Sequence, residues 1–288
     1  MEIGLLRILL FLGVLAPVFS YAADAANCDV TQVFDCELDQ ATDPQKSGWT
    51  FGVGVAAGQN IPHYIGSDES RSFLLPIPYI TYDSPKLKVG QGGITGKLFN
   101  TENWYLSLSL SGALPVDSDD NEARKGMDDI EAVFEYGPSL KYYLSGDETS
   151  PNAIFVDLNF REARTLSLTG LDFSSSPTVV VRRQWSTPVF SGRLNWLVRV
   201  KQEYVSDAYA DYFYGVKDND VTESRRAYKA KGGDAGYRLS TNVRWQKGKH
   251  IVNFFMAYAD IHSAKYIDSP LVRVQNHTFG GLAYFNLF

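Results

Sequence analysis

Val274 to Phe288 reads VQNHTFGGLAYFNLF. The stretch has the character of a β-strand, and it stops on an aromatic, Phe288, with no solvating tail behind it. In a soluble domain such an end would fray. In an outer-membrane barrel the last strand pairs with the first and closes the sheet, so its end is tied in. The expectation from this stretch is an all-β chain folded as a single up-and-down antiparallel transmembrane β-barrel. Such a barrel has an even strand count, both termini on the periplasmic side, and short turns on that side only.

The start of the chain fits export. Met1 to Arg7 carries one Arg, an apolar run follows from Ile8 to Val18, and Ser20-Tyr21-Ala22 and Ala23-Asp24-Ala25 each offer a small-residue cleavage point. This reads as a cleaved signal peptide over 1–22. The run falls short of the ~20 residues of a spanning helix, and no later segment offers one, so any crossing must use strands. Residues 23–47 read as a periplasmic tail in which Cys28 and Cys36 are placed to form a small disulfide loop in an oxidising compartment. The barrel is expected over 48–288.

Composition narrows the function. Net charge is -6, which gives no basic surface for nucleic acid. Aromatics are rich at 14%, and they recur near the ends of alternating segments: Trp49, Trp104, Tyr142, Trp185, Tyr204, Trp245 and Tyr284. That is the pattern of an interfacial girdle.

Alternation with period two is strong. Trp104, Leu106, Leu108 and Leu110 alternate with Tyr105, Ser107, Ser109 and Ser111. Ile154, Val156, Leu158 and Phe160 alternate with Phe155, Asp157, Asn159 and Arg161. Leu194, Trp196, Val198 and Val200 alternate with Arg193, Asn195, Arg199, Lys201 and Glu203; Tyr237, Leu239, Val243 and Trp245 with Arg238, Ser240, Asn242, Arg244 and Gln246. Apolar residues facing lipid and polar ones facing a lumen account for both faces. Strands are expected at 48–58, 72–82, 86–92, 95–99, 103–114, 129–144, 152–163, 176–186, 189–206, 236–247, 250–261 and 275–288. That is about 12 strands, with short and long connections in turn except for the tight one at Gly92-Gly93-Ile94. The long ones are 59–71, 115–128, 164–175, 207–235 and 262–274. Pro76 and Pro78 fall on one face of the second strand, where a bulge or bend is expected. Gly52, Gly54, Gly280 and Gly281 suggest close approach or strong curvature at the seam.

The sequence Pro62-His63-Tyr64-Ile65-Gly66-Ser67-Asp68, followed by Leu75-Pro76-Ile77-Pro78-Tyr79-Ile80, resembles the MltA-interacting protein/OmpV family of outer-membrane proteins. So do Glu135-Tyr136-Gly137-Pro138, then Asp207-Ala208-Tyr209 with Tyr212-Phe213-Tyr214-Gly215-Val216, and Asp268-Ser269-Pro270-Leu271-Val272. Order and spacing together carry the likeness, which covers roughly Trp49 to Phe288. Asn286 and the cysteine-bearing segment Asn27 to Gly48 depart from it. The resemblance implies a non-enzymatic protein of the bacterial outer membrane, surrounded by lipid. It further implies a scaffold that links a lytic transglycosylase to a peptidoglycan synthase. A small-solute channel or a surface adhesin is the alternative.

Sites for chemistry are few. The histidines are His63, His250, His262 and His277; Asp260 and His262 sit two apart at a strand top, and Asp119-Asp120 in another loop. Such pairs could activate water, but acidic loops hold them freely. No phosphate, dinucleotide or zinc motif occurs, so neither cofactor nor metal is expected. The inward set, including Glu131, Glu135, Asp157, Arg161, Arg199, Arg238 and Arg244, is the wall of a wet channel or a lumen shut by ion pairs. Tyr209, Tyr212, Phe213 and Tyr214 form a loop cluster that suits either a partner anchor or an inward lid.

Overall fold

A computed structural model describes residues 48–84, 87–90, 93–96, 99–101, 103–187 and 191–288. The expected signal peptide and the tail with Cys28 and Cys36 lie outside the described residues. The strands are β1 (Gly48–Pro62), β2 (Ser70–Asp83), β3 (Leu87–Gly90), β4 (Gly93–Gly96), β5 (Phe99–Asn100), β6 (Trp104–Ala113) and β7 (Val133–Ser145). They continue with β8 (Ala153–Thr165), β9 (Gly170–Thr187), β10 (Gly192–Val205), β11 (Gly233–Lys247), β12 (His250–Asp260) and β13 (Asn276–Leu287).

All thirteen segments belong to one sheet, in the order β4-β3-β2-β1-β13-β12-β11-β10-β9-β8-β7-β6-β5. Every pairing is antiparallel and joins chain neighbours, except the seam. There β1 pairs with β13 from Gly52 opposite Leu287 to Gln59 opposite Gly280. Phe288 N donates to Phe51 O at 2.9 Å, so the terminal aromatic is tied to the first strand. On the far side β4 pairs with β3, β5 with β6, and β4 lies beside β6, so the sheet returns on itself. The segments β4 and β5 stand where one strand was expected.

The alternation decides which face is which. Trp49, Phe51, Val53 and Val55 of β1 point out, as do Leu74 and Ile80 of β2 and Leu158 and Phe160 of β8. Val53 is 55% exposed and Leu74 71%, values that water would penalise and hydrocarbon does not. Their neighbours Tyr105, Ser107, Asp157, Asn159 and Arg161 are buried inside. Aromatics ring both ends. Trp49 packs on Tyr82 at 5.1 Å and Trp104 on Tyr142 at 4.6 Å on the turn side; Phe160 packs on Phe173 at 5.1 Å on the loop side. The chain is therefore a transmembrane β-barrel.

The structure corrects three expectations. The connection 164–175 is not long: β8 runs to Thr165 and β9 begins at Gly170, because Gly170, Phe173 and Ser174 continue the ladder opposite β8, and Ser174 and Ser175 the ladder opposite β10. The ladder to β1 runs unbroken through Pro76 and Pro78, and the register shift falls instead between Gly58 and Ile61. Ladder hydrogen bonds need N–H groups, so both proline nitrogens must lie on the edge of β2 away from β1. Lastly, Val133 rather than residue 129 opens β7, since residues 129–132 belong to the loop before it.

The seam depends on missing side chains. A Cβ at Gly54 would lie 2.3 Å from Phe285 Cδ1 and 2.4 Å from the carbonyl oxygen of Tyr284. Backbone cannot yield there without opening the β1–β13 ladder. Gly54→Val is expected to prevent closure, and loss of the heat-modifiable band in unboiled SDS–PAGE would show it.

Candidate functional site

The external mouth is covered by loops that turn inward. The connection from β10 to β11 begins with α1 (Asp207–Tyr214), an eight-residue helix capped by Ser206, whose Oγ accepts from Tyr209 N at 3.1 Å. The cap satisfies an orphan donor and fixes the direction in which the helix enters the mouth. Tyr209 OH then reaches down to Glu135 Oε1 at 2.9 Å. Phe213 and Tyr214 are buried. The Tyr214 ring stacks on Tyr266 with centroids 3.8 Å apart, and its hydroxyl donates to Ile65 O at 2.7 Å. Ser269 Oγ donates to Tyr214 O at 2.7 Å, and Tyr64 OH to Leu271 O at 2.8 Å. Tyr212 sits at the edge, where its hydroxyl accepts from Glu131 N at 2.8 Å. Burial holds the Tyr209 and Tyr214 hydroxyls well above the ordinary tyrosine pKa, so both stay protonated donors.

Two arginines fasten the β6–β7 connection and the β10–β11 connection to each other, one from each. Arg124 donates to Phe213 O at 3.1 Å, and Arg225 donates to Ala123 O at 3.0 Å and Asp220 O at 2.8 Å. Both are buried and spend their donors on carbonyls, and in Arg124 on the Ser118 hydroxyl as well, rather than on carboxylates. Under them Tyr64, Val116, Ile130, Phe213, Tyr266 and Leu271 form one apolar cluster. The cap is thus a small core of its own. The sequence segments that carry the family likeness, 62–68, 207–216 and 268–272, converge on it. Nothing in their separate patterns shows that they touch.

Below the cap lie the inward charges. Glu135, Asp157, Arg161, Arg199, Arg238 and Arg244 are all buried in the lumen. Arg161 Nη1 lies 3.6 Å from Glu135 Oε2, and its Nε donates to Ser109 Oγ at 2.8 Å. Ser174 Oγ donates to Glu135 Oε2 at 2.7 Å. Glu203 takes Arg238 at 3.0 Å and Lys201 at 3.1 Å. Asp157 accepts from Ser139. Arg244 lies lower, donating to Gln246 Oε1 at 3.1 Å and Tyr79 OH at 3.4 Å. Glu131 is the exception: it stands at the rim and caps the 166–169 turn through Ser167 N at 2.9 Å, because β7 begins only at Val133. Between cap and charges, lined by Glu135, Arg161, Glu203, Arg238, Tyr209 and Tyr266, is a cavity of about 80 Å³, room for a few waters.

His63 links the cap to pH. Burial first, and then Arg71, lowers its pKa below the ordinary 6.5. The Asn121 amide nitrogen lies 3.3 Å from Nδ1, which accepts when the ring is neutral. A lowered histidine pKa means that the folded cap binds fewer protons than the opened one. Cap stability is therefore complete above pH ~6.5 and falls as acid drives the pH below it. Amide hydrogen exchange in residues 63–69 and 118–124 is expected to quicken on acidification, and the change should vanish in His63→Gln.

The Asp260–His262 pair forms, with Nδ1 to Oδ1 at 2.8 Å. The carboxylate also accepts from His262 N at 3.0 Å and from Tyr258 OH at 3.1 Å. Tyr258 is on the lipid side of β12, so this carboxylate is turned toward the outer rim as a turn cap. Asp120 acts electrostatically on His63. Among the described residues no group of His, Cys, Asp and Glu could hold a metal ion.

The comparison with family models agrees with the architecture. The family model of the MltA-interacting protein MipA matches residues 52–285. Among curated proteins none matches significantly. Of solved structures, the β domain of the Bordetella autotransporter BrkA aligns at 10% identity and TM-score 0.34, covering 84% of this chain and 99% of that one. Pseudomonas aeruginosa OccK5 (OpdH) aligns at 8% identity and TM-score 0.22, covering 85% and 99%. These two likenesses carry no argument. The family match spans nearly the whole barrel, from the first strand at the seam to the last: the chain belongs to the MltA-interacting protein family.

Proposed function

We propose that the protein is a non-enzymatic anchor in the outer membrane that holds a lytic transglycosylase, with a peptidoglycan synthase beside it. The family match over residues 52–285 carries this reading, since its description names an interaction with MltA. The cap supports it indirectly. Loops that are spent on packing against each other are poorly placed to bind a host surface, and a lumen crossed by ion pairs is poorly placed to pass solutes. That weighs against the adhesin and the small-solute channel. The periplasmic turns are short, and a standard interface needs ~800 Å² per partner. The tail 23–47 is the added contact this reading calls for.

The test is capture from detergent extracts with the full-length protein as bait. A murein hydrolase or synthase is expected in the eluate, at reduced yield when 23–47 is deleted. An eluate with neither enzyme would overturn the proposal.

A further inference from the structure

The two halves of the lumen differ in charge. Toward the cap, Arg161, Lys201 and Arg238 stand with Glu135 and Glu203, in contacts of 3.0 to 3.6 Å. Toward the turns the balance shifts. Lys141, Arg182 and Arg244 lie within five residues of the turn-side ends of β7, β9 and β11, and Arg199 lies midway along β10. Among the described residues of the wall, one carboxylate stands at this level: Asp157, opposite Lys141 in the β7–β8 ladder. Glu148 adds another at the rim, in the β7–β8 turn.

None of these four cations is more than 6% exposed. An ion taken out of water needs a counter-charge close by. The bore is that of about a dozen strands, wider than the roughly eight-stranded one that side chains alone fill, so burial this deep calls for cover from within the bore. Arg244 makes the need plain. Its Nη2 meets two neutral groups, Gln246 Oε1 and Tyr79 OH, and its Nε and Nη1 have no hydrogen-bond partner among the described residues.

The sequence shows where negative charge is to be found on this side of the barrel. Residues 83–102 carry Lys86, Lys88 and Lys97 against Asp83 and Glu102, so they do not supply it. Residues 23–47 carry Asp24, Asp29, Asp35, Glu37, Asp39 and Asp43 against Lys46. This acidic segment joins the barrel at Gly48, at the turn-side end of β1, where Trp49 packs on Tyr82. It therefore begins at the mouth nearest the excess of positive charge. The chain from Asp39 to Gly48 spans about 30 Å when extended at about 3.3 Å per residue. That matches a hydrocarbon core roughly 30 Å thick, so the reach to mid-bore is ample.

We propose that the acidic segment Asp29–Asp39 turns back through the periplasmic mouth and lies along the basic side of the lower lumen, its carboxylates against Arg182, Arg199 and Arg244. A single segment covers that side without filling the width of the bore. The inference does not rest on the binding of any enzyme of wall synthesis, and residues 40–47 stay at the rim, open to a partner.

The experiment uses the full chain in micelles with Cys28→Ser, so that Cys36 is the one native thiol. A second cysteine is placed at one of two sites. Asn253→Cys is buried inside the bore, opposite Arg244 in the β11–β12 ladder, and Lys249→Cys is exposed on the turn between those strands. A segment hanging below the barrel meets the turn; a segment inside it meets residue 253. Oxidation with copper phenanthroline is expected to join Cys36 to residue 253 at several times the yield with residue 249, read from the masses of the linked peptides. A yield at 253 no greater than at 249 would overturn the proposal. Asp29→Asn, Asp35→Asn, Glu37→Gln and Asp39→Asn together should abolish the preference for 253, and a preference that survives them overturns the role given to charge. Folding is checked by the heat-modifiable band. Ser240→Cys, opposite Arg199, reports on the same wall if Asn253→Cys fails to fold.

Discussion

Glu135→Ala is expected to cost the barrel about 3–5 kcal/mol, because it leaves Arg161 as an uncompensated charge inside the lumen. Glu135 is only 2% exposed and answers three groups: Arg161 Nη1 at 3.6 Å, Ser174 Oγ at 2.7 Å and Tyr209 OH at 2.9 Å. The first two tie β7 to β8 and β9; the third ties the wall to α1. One substitution thus removes a wall brace and a cap anchor together. Glu135→Gln keeps oxygen for the hydroxyls and loses only the charge, so its cost should be smaller. Urea unfolding in micelles, followed by the heat-modifiable band, measures both. A Glu135→Ala midpoint that matches the unmodified protein within about 0.5 kcal/mol would show that water already solvates Arg161.

Tyr214→Ala should be as severe, about 3–5 kcal/mol, but confined to the cap. Its ring holds Tyr266 at 3.8 Å, its hydroxyl holds Ile65 O at 2.7 Å, and Tyr64 meets it edge-on at 5.9 Å. Removing it deletes the piece on which three loops converge, while the strands keep their ladders. Arg124 and Arg225, buried under those loops, would become open to trypsin. At 1.4 kcal/mol per tenfold, cleavage there should rise roughly a hundredfold or more, with the barrel still migrating as folded. The unmodified protein should be silent in planar bilayers, and Tyr214→Ala should show openings. Unchanged cleavage and continued silence would mean that the cap does not close the mouth.

The sequence by itself determined the barrel. Strand alternation has period two, and a lipid exterior with a polar interior imposes that period on every strand without reference to any other strand. The residues of β6, β8, β10 and β11 therefore declare their faces locally, and the inward position of Asp157, Arg199 and Arg244 follows from parity alone. The seam was legible for the same reason, since in a closed barrel every strand needs a neighbour on both edges, and the first and last strands have only each other left.

What parity cannot supply is contact across the bore or between loops. That Tyr209 meets Glu135, 74 residues earlier, depends on how the mouth closes. Glu131 was misplaced because it lies two residues before the first residue of β7, Val133, and only the ladder opposite Thr165 fixes where β7 begins. The prolines of β2 suggest a bulge or a bend because sequence cannot say which edge of a strand their nitrogens face. In this protein the tertiary structure alone decided which edge of β2 carries the ladder to β1, and with both ring nitrogens on the other edge the two missing hydrogen-bond donors cost that ladder nothing.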